Sequence, residues 1–354
     1  MVKRRALLLA GLPLGAKAEI RRGRALAFPR DHGAHPEART EWWYATGWLG
    51  PNDAPRLGFQ LTFFRSRTGL AEGSASRFAA RHLLFAHAAV TDLHAKRHHH
   101  AQRIARWSGD ESTPLARASS TDTDVHLGGW SLRREGDTCL ARLPADGFAL
   151  DLRLQATQPL LLQGDAGYSR KGPEPHQASH YTSDPQLAVS GAVTLGSQLI
   201  AEPGRAWLDH EWSDEYLAPD AVGWDWIGFN LFDGSALTAF RLRRADGSVL
   251  WAGGSHRAAG AASRSFAADQ IRFTPGRAWA SPASQARYPV EWEVDTPAGR
   301  FQVRALLDAQ ELDSRGSTGA IYWEGLSELV DPQGRRVGLG YLEMTGYAGP
   351  LVMR

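Results

Sequence analysis

Glu41-Trp42-Trp43-Tyr44, with Thr40 before it and Gly47 after, sets a carboxylate and three large rings in four consecutive positions. Side chains alternate across an extended chain. A strand over Glu41 to Leu49 therefore sends Glu41 and Trp43 to one face and Trp42 and Tyr44 to the other. A large ring stands on each side. That suits a strand covered by protein on both faces, and it equally suits a pocket wall with a Trp beside a carboxylate.

Similar short segments recur on either side, β-branched, aromatic or alternating, between Gly, Pro and Asp punctuation. A first series runs through Leu57 to Arg65, His82 to Asp92, Val125 to Arg133, Thr138 to Leu143, Phe148 to Gln155, Ala188 to Leu195 and Ala206 to Trp212. A second runs through Gly223 to Asp233, Ala236 to Arg243, Val249 to Ala252, Asp269 to Phe273, Tyr288 to Val294, Arg300 to Leu307, Ala320 to Leu326 and Arg336 to Glu343. Asp233-Gly234 and Asp246-Gly247 are tight-turn signals. The pattern predicts an all-β protein of two consecutive antiparallel barrels, about eight strands each, each wide enough for one small ligand. The boundary falls in Ser213 to Val222, giving an N-terminal barrel over 19–215 and a C-terminal barrel over 216–354. His94 to Ser120 and Gly164 to Thr182 read as long polar loops. Ala71 to Arg81 and Ser284 to Arg287 look helical, without a sustained apolar stripe.

Lys3-Arg4-Arg5, the apolar run Ala6 to Ala16 and the small-x-small Ala16-Lys17-Ala18 have the layout of a secretory leader over 1–18. The run is too short to span a membrane, which takes about 20 apolar residues. The expectation is export to the periplasm or beyond, with cleavage near Ala18 and no transmembrane anchor. Without the leader's four cations the formal charge falls from +2 to −2, so nothing supports a nucleic-acid partner. Cys139 is the single cysteine, which leaves stability to burial rather than to disulfides. Thirteen Trp and thirteen Phe against three Met suit a pocket with rigid ring walls.

Two further segments carry candidate chemistry. In Trp207-Leu208-Asp209-His210-Glu211-Trp212, alternation separates Asp209 and Glu211 from His210 and Trp212. Three adjacent titratable groups in an apolar setting are costly unless paired, so the stretch is either a site or a structural Asp/His pair at the end of the first barrel. In Trp224-Asp225-Trp226 both indoles share one face, opposite Asp225, as a stacking wall or a plain core strand. His82 and His87 point to opposite faces, and His98-His99-His100 falls in a polar loop, so no metal is expected. Neither a Gly-x-Ser-x-Gly elbow nor a glycine-rich phosphate loop is present.

At Thr40 to Tyr44, Gly58 to Arg65, Ala86-His87-Ala88, Ser179-His180-Tyr181, Trp207 to Trp212 and Gly223 to Ile227 the chain resembles the carotenoid 1,2-hydratase (CrtC) and AttH-like family. It is more similar to the exported AttH-like branch, whose members often accompany ABC-type transporter components. The resemblance implies two lipocalin-like barrels and a hydrophobic, isoprenoid- or polyene-like ligand. It implies hydro-lyase chemistry without cofactor: a buried acid protonates an isolated alkene, indole faces steady the carbocation, and water captures it. Carried over by resemblance, His210 and Trp212 are site residues, with Asp209 as proton donor or as the partner orienting His210. Trp43, Tyr44, Trp224 and Trp226 form the wall, beside Glu41, Trp42 and Asp225. His180 and Tyr181 stand at the rim. The alternative function is a non-catalytic carrier or chaperone working with an ABC-type export system.

Overall fold

A computed structural model describes residues 20–215 and 217–351, so the leader expected over 1–18 lies outside the described residues. Among them the regular elements are strands, joined by two three-residue 3-10 turns. No described helix is long and apolar enough to cross a membrane. Residues 40–213 form a fourteen-stranded antiparallel sheet and residues 223–344 a ten-stranded one, with a separate hairpin of Ala278–Ala280 and Arg287–Pro289.

In the first sheet Thr40–Leu49 pairs with Leu57–Arg67 on one side and with the last strand, Gly204–Ser213, on the other. The sheet curls until its far ends approach. From the edge strand Arg97–Trp107, Arg103 covers the Trp130 ring at 4.7 Å and donates to the Pro144 carbonyl. Trp43, Phe59, Phe63, Leu132 and Leu152 fill the interior. The second sheet curls around Ile227, Phe229, Trp292, Trp323 and Leu342.

Phe148–Gln155 shows the simple alternation of a strand with one wet face, whereas Thr40–Leu49, Gly204–Ser213 and Gly223–Leu231 are covered at nearly every position. The cause is a third core between the sheets. Tyr44, Trp48 and Trp207 of the first sheet pack with Trp226, Phe240, Leu326 and Tyr341 of the second. Each fully buried large side chain contributes about 1.5–3 kcal/mol, enough together to fix the sheets face to face. Gln186, in a bulge at φ 59°, adds a polar latch: its side-chain amide donates to the carbonyls of Leu231 and Ser235.

Several expectations are corrected. His94 to Ser120 is not a loop, because Arg97–Trp107 is an edge strand carrying all three histidines. Its polar composition reflects an exposed face rather than irregular backbone. Tyr168–Arg170 and the start of the eighteen-residue strand Ala178–Leu195 likewise fall within Gly164 to Thr182. Neither Ala71 to Arg81 nor Ser284 to Arg287 is helical, for want of an apolar stripe to bury. Strand number exceeds eight per sheet because short strands add to it, among them Leu161–Leu162, Tyr168–Arg170 and Gln198–Ile200 on Ala178–Leu195 and Arg264–Phe266 at an edge of the second sheet.

Candidate functional site

Alternation in the sandwiched strands aims one set of side chains at the other sheet, and there they line a cavity of about 130 Å³. Trp42, Tyr44 and Phe64 come from the first sheet, with Tyr181, Asp209 and Glu211. Trp224, Trp226, Phe240, Tyr322, Glu324 and Glu343 come from the second. The space approaches the ~150 Å³ of an apolar cavity that holds benzene, so it seats one ring-sized or isoprene-sized part of a ligand. Trp42, Phe64, Lys171 and Trp224 are half-buried at its walls.

Asp209 is 3% exposed and accepts three hydrogen bonds. Ser183 Oγ and Trp207 Nε1 donate to Oδ1 at 2.5 and 2.6 Å, and the Tyr181 hydroxyl donates to Oδ2 at 2.6 Å. Trp226 Nε1 in turn donates to the Tyr181 oxygen at 3.1 Å. Burial pushes the Asp209 carboxyl up to about 7, although the three donors favour the ionised form. Near neutrality it therefore both holds and releases a proton.

The other carboxyls form two groups. Glu211 accepts from Ser179 Oγ and pairs with Lys171 Nζ at 2.9 Å, while the same ammonium stands 4.6 Å from the Tyr181 ring centre and 4.1 Å from that of Phe240. Glu324 and Glu343 lie directly opposite each other on paired strands. Burial, then the Glu343 charge, raises Glu324 well above the carboxylate range. Burial also raises Glu343 to about 7, with Asp209 and Glu211 adding repulsion across the gap. At the back wall the Tyr322 hydroxyl bonds His87 Nδ1 at 2.8 Å, and His87 Nε2 meets Ser317 Oγ at 2.9 Å.

The opposite face of the same strands holds a different network. Glu41 Oε1 accepts from His35 Nδ1 at 2.7 Å and from His210 Nε2 at 3.0 Å, and Arg65 Nε donates to Oε2 at 2.8 Å. Trp43 stacks on His210 with ring centres 4.8 Å apart, Trp212 stacks on His35 at 3.7 Å, and His180 lies 5.4 Å from Trp212. His35, Glu41 and His210 could offer one ligand atom each to a metal within 4.8 Å of one another. They are instead hydrogen-bonded to each other, with an Arg65 guanidinium on the shared carboxylate, and the group reads as a closed ion network. Asp225 sits inside the second barrel with Arg241 at 2.7 Å, Arg243 at 3.0 Å and the Tyr347 hydroxyl at 2.8 Å.

The structure thus brings Asp209, Trp42, Tyr44, Tyr181, Trp224 and Trp226 to one cavity. It places Glu41, Trp43, His180, His210 and Trp212 behind that wall and Asp225 in the second barrel. Asp209 does not orient His210, since neighbours on a strand point apart; Glu41 does. The sequence reading missed Lys171, Tyr322, Glu324 and Glu343 as lining. The legible signal was a Glu set among apolar residues in each of two strands, Glu324 in Ile321–Val330 and Glu343 in Arg336–Met344.

The chain matches the AttH-like family over residues 19–347. A crystal structure of a candidate AttH from Nitrosomonas europaea is 47% identical, covers 92% of this chain and 98% of its own, and superposes with a TM-score of 0.84. Kievitone hydratase from Nectria haematococca shares the fold at 14% identity and a TM-score of 0.68, covering 94% of this chain and 97% of its own. CghA shares it at 12% identity and 0.55, covering 93% and 95%. No curated protein matches the sequence. The half-matching identity and near-complete coverage leave one conclusion: this chain belongs to the AttH-like family.

Proposed function

We propose that the cavity between the sheets binds a hydrophobic, isoprenoid- or polyene-like small molecule and adds water across an isolated alkene, with Asp209 as the acid. The observation that carries this reading is a carboxyl raised to about 7, buried in a cavity walled by indoles. Both Asp209 oxygens are already engaged, so the Tyr181 hydroxyl is the route to the ligand. Tyr181 gives its proton to one alkene carbon as it takes the Asp209 proton. The alkene π pair forms the new C–H bond and leaves a tertiary cation on the other carbon. The Trp226 and Trp224 faces stabilise that charge, water adds to it, and the water's surplus proton returns to the Asp209 carboxylate, which restores the acid.

Support from the fold neighbours is by analogy alone, one of them being named a hydratase. The test is to incubate the protein, from Glu19 onward, with acyclic terminally unsaturated isoprenoids in oxygen-18 water. Enzyme-dependent gain of one labelled water is expected. Quenching of Trp fluorescence without label would overturn the hydro-lyase step and leave a carrier, the role in which an exported protein with ABC-type transporter partners fits.

A further inference from the structure

The cavity is more acidic than an apolar ligand requires. Asp209, Glu211, Glu215, Glu324 and Glu343 line it, and Lys171 is the one lysine or arginine among its lining residues. Lys171 is committed to Glu211, so the Glu324–Glu343 pair has no cation among the lining residues. Glu324 is 2% exposed, and the buried Tyr44 hydroxyl is the polar neighbour of its carboxyl. Burying two opposed carboxyls with no cation of their own among the lining residues is costly unless a bound group answers them.

The rings indicate which group. Lys171 already shows the chemistry on the protein's own chain: an ammonium between two aromatic faces and a carboxylate. The Glu324–Glu343 end repeats that combination without an internal ammonium, with Trp226 in register beside Glu343 and Trp224 hydrogen-bonded to it. A metal ion fits poorly, because the one compact trio of candidate ligands among the described residues lies on the opposite face, around Glu41. An organic cation asks for ring faces and a carboxylate at van der Waals distance, and a cation seated there would draw the Glu324–Glu343 pair back toward its ionised form.

We propose that the ligand is a small apolar molecule carrying a positive nitrogen, seated on the Trp224 and Trp226 indoles against the Glu324–Glu343 pair. This rests on the reading above that the cavity takes a small apolar molecule. The chemical class is an organic ammonium, tertiary or quaternary, with an aromatic or isoprenoid arm reaching toward Tyr181 and Asp209.

The test compares two probes of equal shape, benzyltrimethylammonium and its neutral carbon isostere neopentylbenzene, by Trp fluorescence and calorimetry on the intact chain. The cation should bind at least tenfold more tightly. The double variant Glu324→Gln, Glu343→Gln should lose that tenfold preference while binding neopentylbenzene as before, which also shows that it has folded. Equal affinity for both probes, or a preference that survives the double variant, would overturn the ammonium assignment and leave the apolar pocket standing. If neither probe binds, the pocket reading falls and takes this inference with it.

Discussion

Two buried acids show how one strand face differs from the other. Asp209 is raised because burial outweighs its three donors, whereas Glu41 is held well below its ordinary range because Arg65, His35 and His210 more than offset complete burial. The consequences for stability have opposite sign. The folded protein holds the Asp209 proton up to about pH 7, while the unfolded chain releases it near the ordinary 3.8. The unfolded state is therefore favoured progressively from about pH 4 to 7, and Asp209 costs stability above that window. Asp209→Asn removes the cost, so the variant should gain on the wild type by roughly 2 kcal/mol or more between pH 5 and pH 8, measured by urea unfolding at both values. Parallel curves would mean that Asp209 titrates near its ordinary value. Glu41→Gln leaves Arg65 and two histidines around a neutral amide. A broken buried ion network of this kind costs about 3–5 kcal/mol, so its urea midpoint at pH 7 should fall sharply, with ligand affinity unchanged in whatever remains folded.

At the level of elements, period-two alternation made most of the strands legible, and it correctly parted Asp209 from His210 and Trp224 from Asp225. It could not say which face meets the cavity. Both faces of Thr40–Leu49 carry a large ring, and only the pairing with distant strands distinguishes Trp43, inside the first barrel, from Trp42 and Tyr44, against the second sheet. The edge strand Arg97–Trp107 was hidden for a related reason: its polar surface reads as loop when its partner His82–Asp92 is unknown. The two faces make separable predictions. Trp226→Ala should weaken binding of an apolar probe by about 1–3 kcal/mol, seen as a shift in the fluorescence titration. Trp43→Ala should lower thermal stability and leave that affinity within about twofold, because its ring stacks on His210 behind the wall. Loss of affinity in Trp43→Ala alone would move the ligand into the first barrel.

On the scale of the whole molecule, the candidate site belongs to neither sheet. Asp209 and its donors Ser183 and Tyr181 come from the first, while the Trp226 indole that bonds Tyr181 and the Glu324–Glu343 pair come from the second. A lipocalin-like barrel ordinarily invites a search of its own interior; here both interiors are filled by Trp, Phe and Leu, and the space lies in the core the barrels share. That placement was out of reach of the sequence, since it depends on which strands of residues 40–213 face which of residues 223–344. The most direct test of Asp209 as the acid pairs two readings on Asp209→Asn, binding by Trp quenching and hydration by oxygen-18 incorporation. Isoprenoid affinity should stay within about threefold of wild type while turnover falls by about 10²–10⁴, the range typical of a lost general acid. Full turnover in Asp209→Asn would contradict that role.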